Sequence, residues 1–186
     1  TDGVSGVLAF GFVASWLFGR EYSDGTVKDL LSLPTSRTRI LNAKFIIYII
    51  WCLALVVSNL IIGLLIGIIL QLPSTKINVL YPLLTDYFIT TILTILIGVP
   101  IPFFALLGKG YLAPLGFVAL TLVLAQVIAA IGYGSYFPWS IPGLYSGAGG
   151  AFKNLLDKYS YLILILTCIA GYIATVIYWK NADQTK

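Results

Sequence analysis

Residues 20–44 read REYSDGTVKDLLSLPTSRTRILNAK, a charged island between two long apolar runs. Five of the chain's 11 basic residues lie in it (Arg20, Lys28, Arg37, Arg39, Lys44), together with Glu21, Asp24 and Asp29. Such an island is what a loop between two membrane spans looks like. Within it, Ser23, Asp24 and Gly25 are turn and cap formers. Thr26, followed three residues later by Asp29, fits a helix start in which each side chain satisfies an orphan backbone amide. Val27, Leu30 and Leu31 then fall on one helical face. Pro34 lacks an amide proton and biases Leu33 away from helical angles, so it ends the helix. Ser36 or Thr38 can cap the next helix, which runs through Lys44 into the membrane. The expectation is a short amphipathic helix of roughly two turns held at the membrane surface. Two uses fit it: a loop whose charges only set topology, or a docking helix presenting Val27, Leu30 and Leu31 to a soluble partner.

Outside the island the chain is greasy. It is 59% hydrophobic and 10% charged, with a mean hydropathy of +0.98. A soluble domain carries about a quarter charged residues, so this is an all-α polytopic integral membrane protein. The net charge of +4 calls for no nucleic acid, because membrane proteins collect Lys and Arg on one side of the bilayer. Cys52 and Cys168 fall inside apolar runs, where a thiol packs as a small hydrophobe. Neither has the clustered spacing of a metal site.

The residues of the island carry a resemblance. Glu21-Tyr22, Gly25-Thr26, Leu30-Leu31, Pro34, Arg37 and Lys44, at these spacings, resemble the first cytoplasmic loop of type-2 ABC exporter permeases. That pattern runs roughly E-Y-x-x-G-T-x-x-x-L-L-x-x-P-x-x-R, with a Lys at the foot of the next span. The resemblance implies a coupling helix, placed on residues 25–33, that fits a groove on a separate ABC ATPase subunit. It also implies a second permease copy or paralogue, ATP and Mg held by the ATPase and not by this chain, and a bacterial cell-membrane location. Span order and the Phe137-Pro138-Trp139 segment extend the likeness over most of the chain. Small bacterial drug and peptide-antibiotic export or immunity permeases, such as the bacitracin-export type, look most similar.

A helical span needs about 20 apolar residues. Five runs qualify or nearly so: 3–19, 45–72, 87–107, 111–133 and 159–179. The stretch up to Asp86, with Tyr81-Pro82, reads as a short loop. The family pattern has six spans, so the first is expected upstream of this sequence, which begins Thr1-Asp2 and shows no signal peptide. A mature protein that starts here is the alternative. In the third run Gly98, Pro100 and Pro102 should kink or break the helix, as a static kink or as a gating hinge. Residues 134–158 hold Phe137, Pro138, Trp139 and Pro142 and a later run of glycines. Residues 134–150 are uncharged but too broken by Pro and Gly to span, and the segment reads as an extracellular re-entrant one that gates the exit. With residues 20–44 placed in the cytoplasm, eight basic residues fall inside and three outside, and the C-terminus is cytoplasmic.

Catalytic chemistry is hard to find. There is no His, and no charged residue falls in the middle of an apolar run. Ion-coupled carriers usually need intramembrane carboxylates, and intramembrane enzymes need a nucleophile and base or a metal cluster. Gly108-Lys109-Gly110 lacks the rest of a phosphate-binding loop. What remains in the spans is neutral and polar: Ser58, Asn59, Thr90, Thr91, Thr94 and Gln126. They serve interhelical hydrogen bonds, worth about 0.6 kcal/mol each, or Ser58, Asn59, Thr94 and Gln126 line a substrate path. Gly63 and Gly67 have the spacing of a close helix–helix contact. The leading reading is the permease subunit of an ATP-driven exporter for a drug, peptide antibiotic or similar amphipathic substrate. An ATPase-independent channel or secondary transporter is the alternative.

Overall fold

The fold comes from a computed structural model that describes residues 2–27, 29, 34–71, 77–147 and 156–181. In order, the elements are α1 (Asp2–Ser23), α2 (Arg37–Ile69), α3 (Ile77–Gly98), α4 (Ile101–Leu107) and α5 (Leu112–Ala130). Two 3-10 turns (Gly134–Tyr136, Pro138–Ser140), α6 (Ile141–Tyr145) and α7 (Lys158–Asn181) follow. Among the described residues, five helical stretches are long and apolar enough to cross a membrane: Gly3–Ser23, Arg37–Ile69, Tyr81–Leu107, Leu112–Ala130 and Lys158–Asn181. Lipid offers no hydrogen bonds, so an apolar chain of this composition closes its backbone pairs within helices. The all-α polytopic architecture expected from hydropathy is the one observed.

The first span is the axis of the bundle. Val7, Phe10, Ala14 and Phe18, spaced by three or four residues, are all buried, and α1 packs against α3, α4 and α5 as well as α2. Since lipid is as apolar as a Leu side chain, this core is held by close packing more than by escape from solvent. The second span stands apart. Tyr48, Cys52 and Val56 face inward, while Ile46, Ile50, Leu53, Val57 and Ile61 are exposed. Among the described residues, nothing lies within 4 Å of a Cβ placed on Gly63.

The segment before Asp86 differs from the sequence expectation. It is helical from Ile77, with Pro82 inside α3. A proline near a helix start removes one amide just past the turn whose amides are unpaired anyway, so Tyr81-Pro82 does not open a loop. The Gly98-Pro100-Pro102 run does break the helix: α3 ends at Gly98 and α4 begins at Ile101. Val99 N–H turns back to the Leu96 carbonyl at 3.2 Å. That frees the Ile95 carbonyl, which accepts the Tyr48 hydroxyl of α2 at 3.3 Å.

The connections sort to the two ends of the bundle. Gly19 lies against the Gly110–Tyr111 backbone, and Arg37 bonds the Lys180 carbonyl, so loop 20–44, the turn after α4 and the end of α7 share one end. Gly3 lies against Pro142 and Gly143 at the other end. There the Phe137–Pro142 segment folds into the bundle rather than over it. Pro138, Ser140, Ile141 and Pro142 are buried, and the Trp139 ring meets Phe117, in the second turn of α5, at 5.3 Å.

Candidate functional site

The loop 20–44 is anchored by α1's C-terminus. Gly25 has φ +72°, Thr26 N–H bonds the Glu21 carbonyl (3.0 Å) and Gly25 N–H the Tyr22 carbonyl (3.4 Å). These paired bonds around a left-handed glycine close a helix end. Gly25-Thr26 therefore closes α1, and Thr26 stands directly before helical Val27, where the sequence had placed a helix start. Residues 27 and 29 are helical. Val27 is buried within the chain and is not open to a partner. Leu30, Leu31 and Leu33 lie outside the described residues. At the far side, Pro34 is an exposed bend and Ser36 is the N-cap of α2, serving through its carbonyl to Arg39 N–H (2.9 Å) and not through its hydroxyl. Gly25→Ala is expected to cost about 1 kcal/mol, because a Cβ disfavours positive φ. Among the described residues a Cβ there would meet nothing within 4 Å, so the expected strain is conformational. Gly25→Asn should be milder, and thermal unfolding in detergent checks the order.

Beneath the loop its two stems are tied together. Lys44 Nζ donates to Glu21 Oε2 at 2.5 Å, with only 9% of the Lys44 side chain exposed. The ammonium also lies 5.6 Å from the Phe18 ring and 5.7 Å from the Trp179 ring. Tyr22 stands edge-on to Trp179 at 6.5 Å. Trp179 Nε1–H donates to the Arg37 carbonyl at 2.9 Å. A buried charge requires a counter-charge and close donors or acceptors, and here α1, α2 and α7 each supply part of the enclosure.

Two of the cavities beside α1 hold the polar residues expected on a substrate path. One, of about 310 Å³, is lined by Ser5, Gly6, Phe10, Ser58, Asn59, Tyr87, Thr90, Thr91 and Thr94, among others. The hydroxyls here mostly turn back on their own helices. Ser58 donates to Leu55 O, Thr90 to Asp86 O, Thr91 to Tyr87 O and Thr94 to Thr90 O, at 2.7–2.9 Å. Interhelical bonding falls instead to Tyr87, whose hydroxyl donates to Val56 O at 2.9 Å. The other cavity, of about 290 Å³, is lined by Gly3, Val4, Gln126, Trp139, Ser140 and Leu144, among others. Ser58, Asn59 and Thr94 thus share a wall, while Gln126 faces the second cavity, across α1 from them. The gate residues converge through rings: Phe137–Trp139 at 5.6 Å, Trp139–Phe117 at 5.3 Å and Phe117 stacked on Phe104 at 3.7 Å. Trp139 Nε1 is buried and has no hydrogen-bond partner among the described residues.

Residues 4–127 match the family described as ABC-2 family transporter protein. The chain belongs to the ABC-2 transporter family. It is also similar to the bacitracin transport permease protein BCRB of Bacillus licheniformis, with 30% identity over 178 residues, 96% of this chain and 85% of that protein. No solved structure matches it. As an ABC-2 transporter subunit it is a multi-pass membrane protein, the membrane-spanning part of an exporter, and membership implies an ATPase partner. Sequence reasoning missed several residues that organise this ABC-2 subunit: Tyr48, Gly171 and Trp179. The signal was present only for Trp179, an aromatic at the charged end of the last apolar run. Tyr48 and Gly171 look like ordinary span residues until their partners across the bundle are known.

Proposed function

We propose that this chain is the permease subunit of an ATP-driven exporter of an amphipathic compound, a drug or peptide antibiotic, in the bacterial cell membrane. Family membership together with the tied loop 20–44 is the observation that carries the reading: a loop meant to receive force needs stems that move as one body, and Glu21–Lys44 joins them. Loop 20–44 and the C-terminus face the cytoplasm, in keeping with the excess of Lys and Arg at that end. Residues Glu21, Tyr22, Gly25, Thr26, Val27, Leu30, Leu31, Pro34 and Arg37 form the coupling loop, with Leu30 and Leu31 the side chains that meet the ATPase. ATP and Mg sit on that partner. A second permease copy and lipid cover the exposed apolar flank of α2. The cavity beside Ser58, Asn59 and Thr94 is the substrate-facing wall, the break at Gly98–Pro102 is the hinge, and Phe137, Pro138, Trp139 and Pro142 gate the exit. The likeness to a bacitracin transport permease supports a peptide antibiotic as cargo.

The test is mild co-purification of the chain from its host membrane, with and without Leu30→Asp/Leu31→Asp. A stoichiometric ATPase is expected with the unaltered chain. The double variant should insert normally yet retain less than about a tenth of that ATPase, the size expected when two buried apolar anchors of an interface are lost. A chain that moves substrate with no ATPase bound would favour a channel or secondary transporter.

A further inference from the structure

The last span carries two contact stripes, one residue out of register. Residues 172 and 179 are two turns apart and share a face; 171 and 178 share the neighbouring face. The first stripe holds the foot of loop 20–44. Tyr172 OH donates to Asn42 Oδ1 at 2.9 Å and its ring lies 5.4 Å from Phe45, while Trp179 bonds the Arg37 carbonyl and covers Lys44. The second stripe holds the helix break. A Cβ on Gly171 would fall 2.6 Å from Pro100 Cα, so the two backbones touch, and Tyr178 meets Phe103 edge-on at 6.0 Å. From Phe103 the rings continue through Phe104 and Phe117 to Trp139.

We propose that α7 is a transmission element, carrying displacement of the coupling loop to the Pro100 break and from there to the Phe137–Pro142 segment. Trp179 and Gly171 are its positioning residues. This rests on the reading of loop 20–44 as the ATPase-facing loop. A packed rigid helix gripping two movable parts transmits a displacement because close-packed contacts cannot stretch; they hold or they reseat. Spatial continuity alone does not establish coupling, so the test measures coupling directly.

The complex of this chain with its ATPase is reconstituted in vesicles carrying Tyr136→Cys, a position exposed beside the gate. Labelling by a membrane-impermeant maleimide is timed in ADP and in ATP, a readout that needs no substrate. The rate should differ by at least about 3-fold between nucleotides with no other change, as a shift between two states requires. In Trp179→Phe, which keeps an aromatic ring but loses the N–H together with the five-membered ring that carries it, and in Gly171→Ala, the difference should fall below about 1.5-fold while ATPase stays bound and hydrolysing. Persistence of the full nucleotide response in Trp179→Phe would overturn the proposal, as would loss of the bound ATPase from it, which would make Trp179 an assembly residue. No ATPase and no nucleotide response in the unaltered chain would overturn the docking reading itself.

Discussion

Glu21→Gln is expected to destabilise this protein more than Lys44→Met, although both break the same ion pair. The reason is which charge is left behind. Lys44 is the deeper partner, with 9% of its side chain exposed against 25% for Glu21. With Gln in place of Glu, the buried ammonium keeps an amide oxygen and two ring faces but no counter-charge, and stranding one member of a buried pair costs about 3 kcal/mol. Cation–π contacts return about 1 kcal/mol at most sites of this kind and do not replace a counter-charge. Lys44→Met instead leaves a carboxylate near the end of α1, where water reaches it. The Met chain still packs against Phe18 and Trp179, so the loss should be about 1 kcal/mol. Glu21→Gln/Lys44→Met should then lie close to Lys44→Met alone, because the Gln has no buried charge to abandon. Thermal unfolding of the purified variants in detergent gives the order. A Lys44→Met protein less stable than Glu21→Gln would mean that the aromatic enclosure, and not the ion pair, holds the stems.

The second large effect is at Gly98. An alanine Cβ there would sit 2.0 Å from the Tyr48 hydroxyl and 3.0 Å from the ring carbon that bears it. Tyr48 is fully buried and cannot step aside into open space. It would have to swing away from Ile95, leaving that carbonyl unpaired in a medium without water. Overpacking and an orphaned carbonyl together should cost about 4 kcal/mol. Tyr48→Phe alone should cost about 1–2 kcal/mol, the carbonyl's share. The combination Gly98→Ala/Tyr48→Phe removes the closest clash and should be more stable than Gly98→Ala alone, an unusual case of a second buried substitution that rescues the first. The yield of monodisperse protein extracted from membranes reports the effect. Wild-type yield for Gly98→Ala would show that the two helices can part without penalty.

Much of the architecture was legible because lipid simplifies the physics. Backbone groups must pair within each span, so apolar length alone located helices at Leu112–Ala130 and Lys158–Asn181. Pro100 announced its break because a missing amide has the same consequence in any surroundings. Pro82 misled, since the effect of a proline depends on how far into a helix it falls. Gly25 read in the sequence only as a turn former; its positive φ shows that it also closes α1, just ahead of helical residues 27 and 29.

The candidate site was legible in part, along the same division. Ser58, Asn59 and Thr94 were grouped with Gln126 on polarity alone. Polarity says nothing about azimuth around a span, and the packing of α1 sets Gln126 on the other side. Likewise nothing in the local sequence pairs Tyr48 with Ile95, Gly171 with Pro100 or Trp179 with Arg37.

The sequence by itself determined that this is a polytopic helical membrane protein with a charged loop between its first spans, because hydropathy and backbone pairing act within a segment. Only the tertiary structure decided that the loop's stems are locked by Glu21 and Lys44, and that the last span grips both the loop and the helix break. Those are contacts between segments far apart in the chain. In an apolar solvent they are chosen by shape and by the few polar groups that must find one another, and no local pattern encodes either.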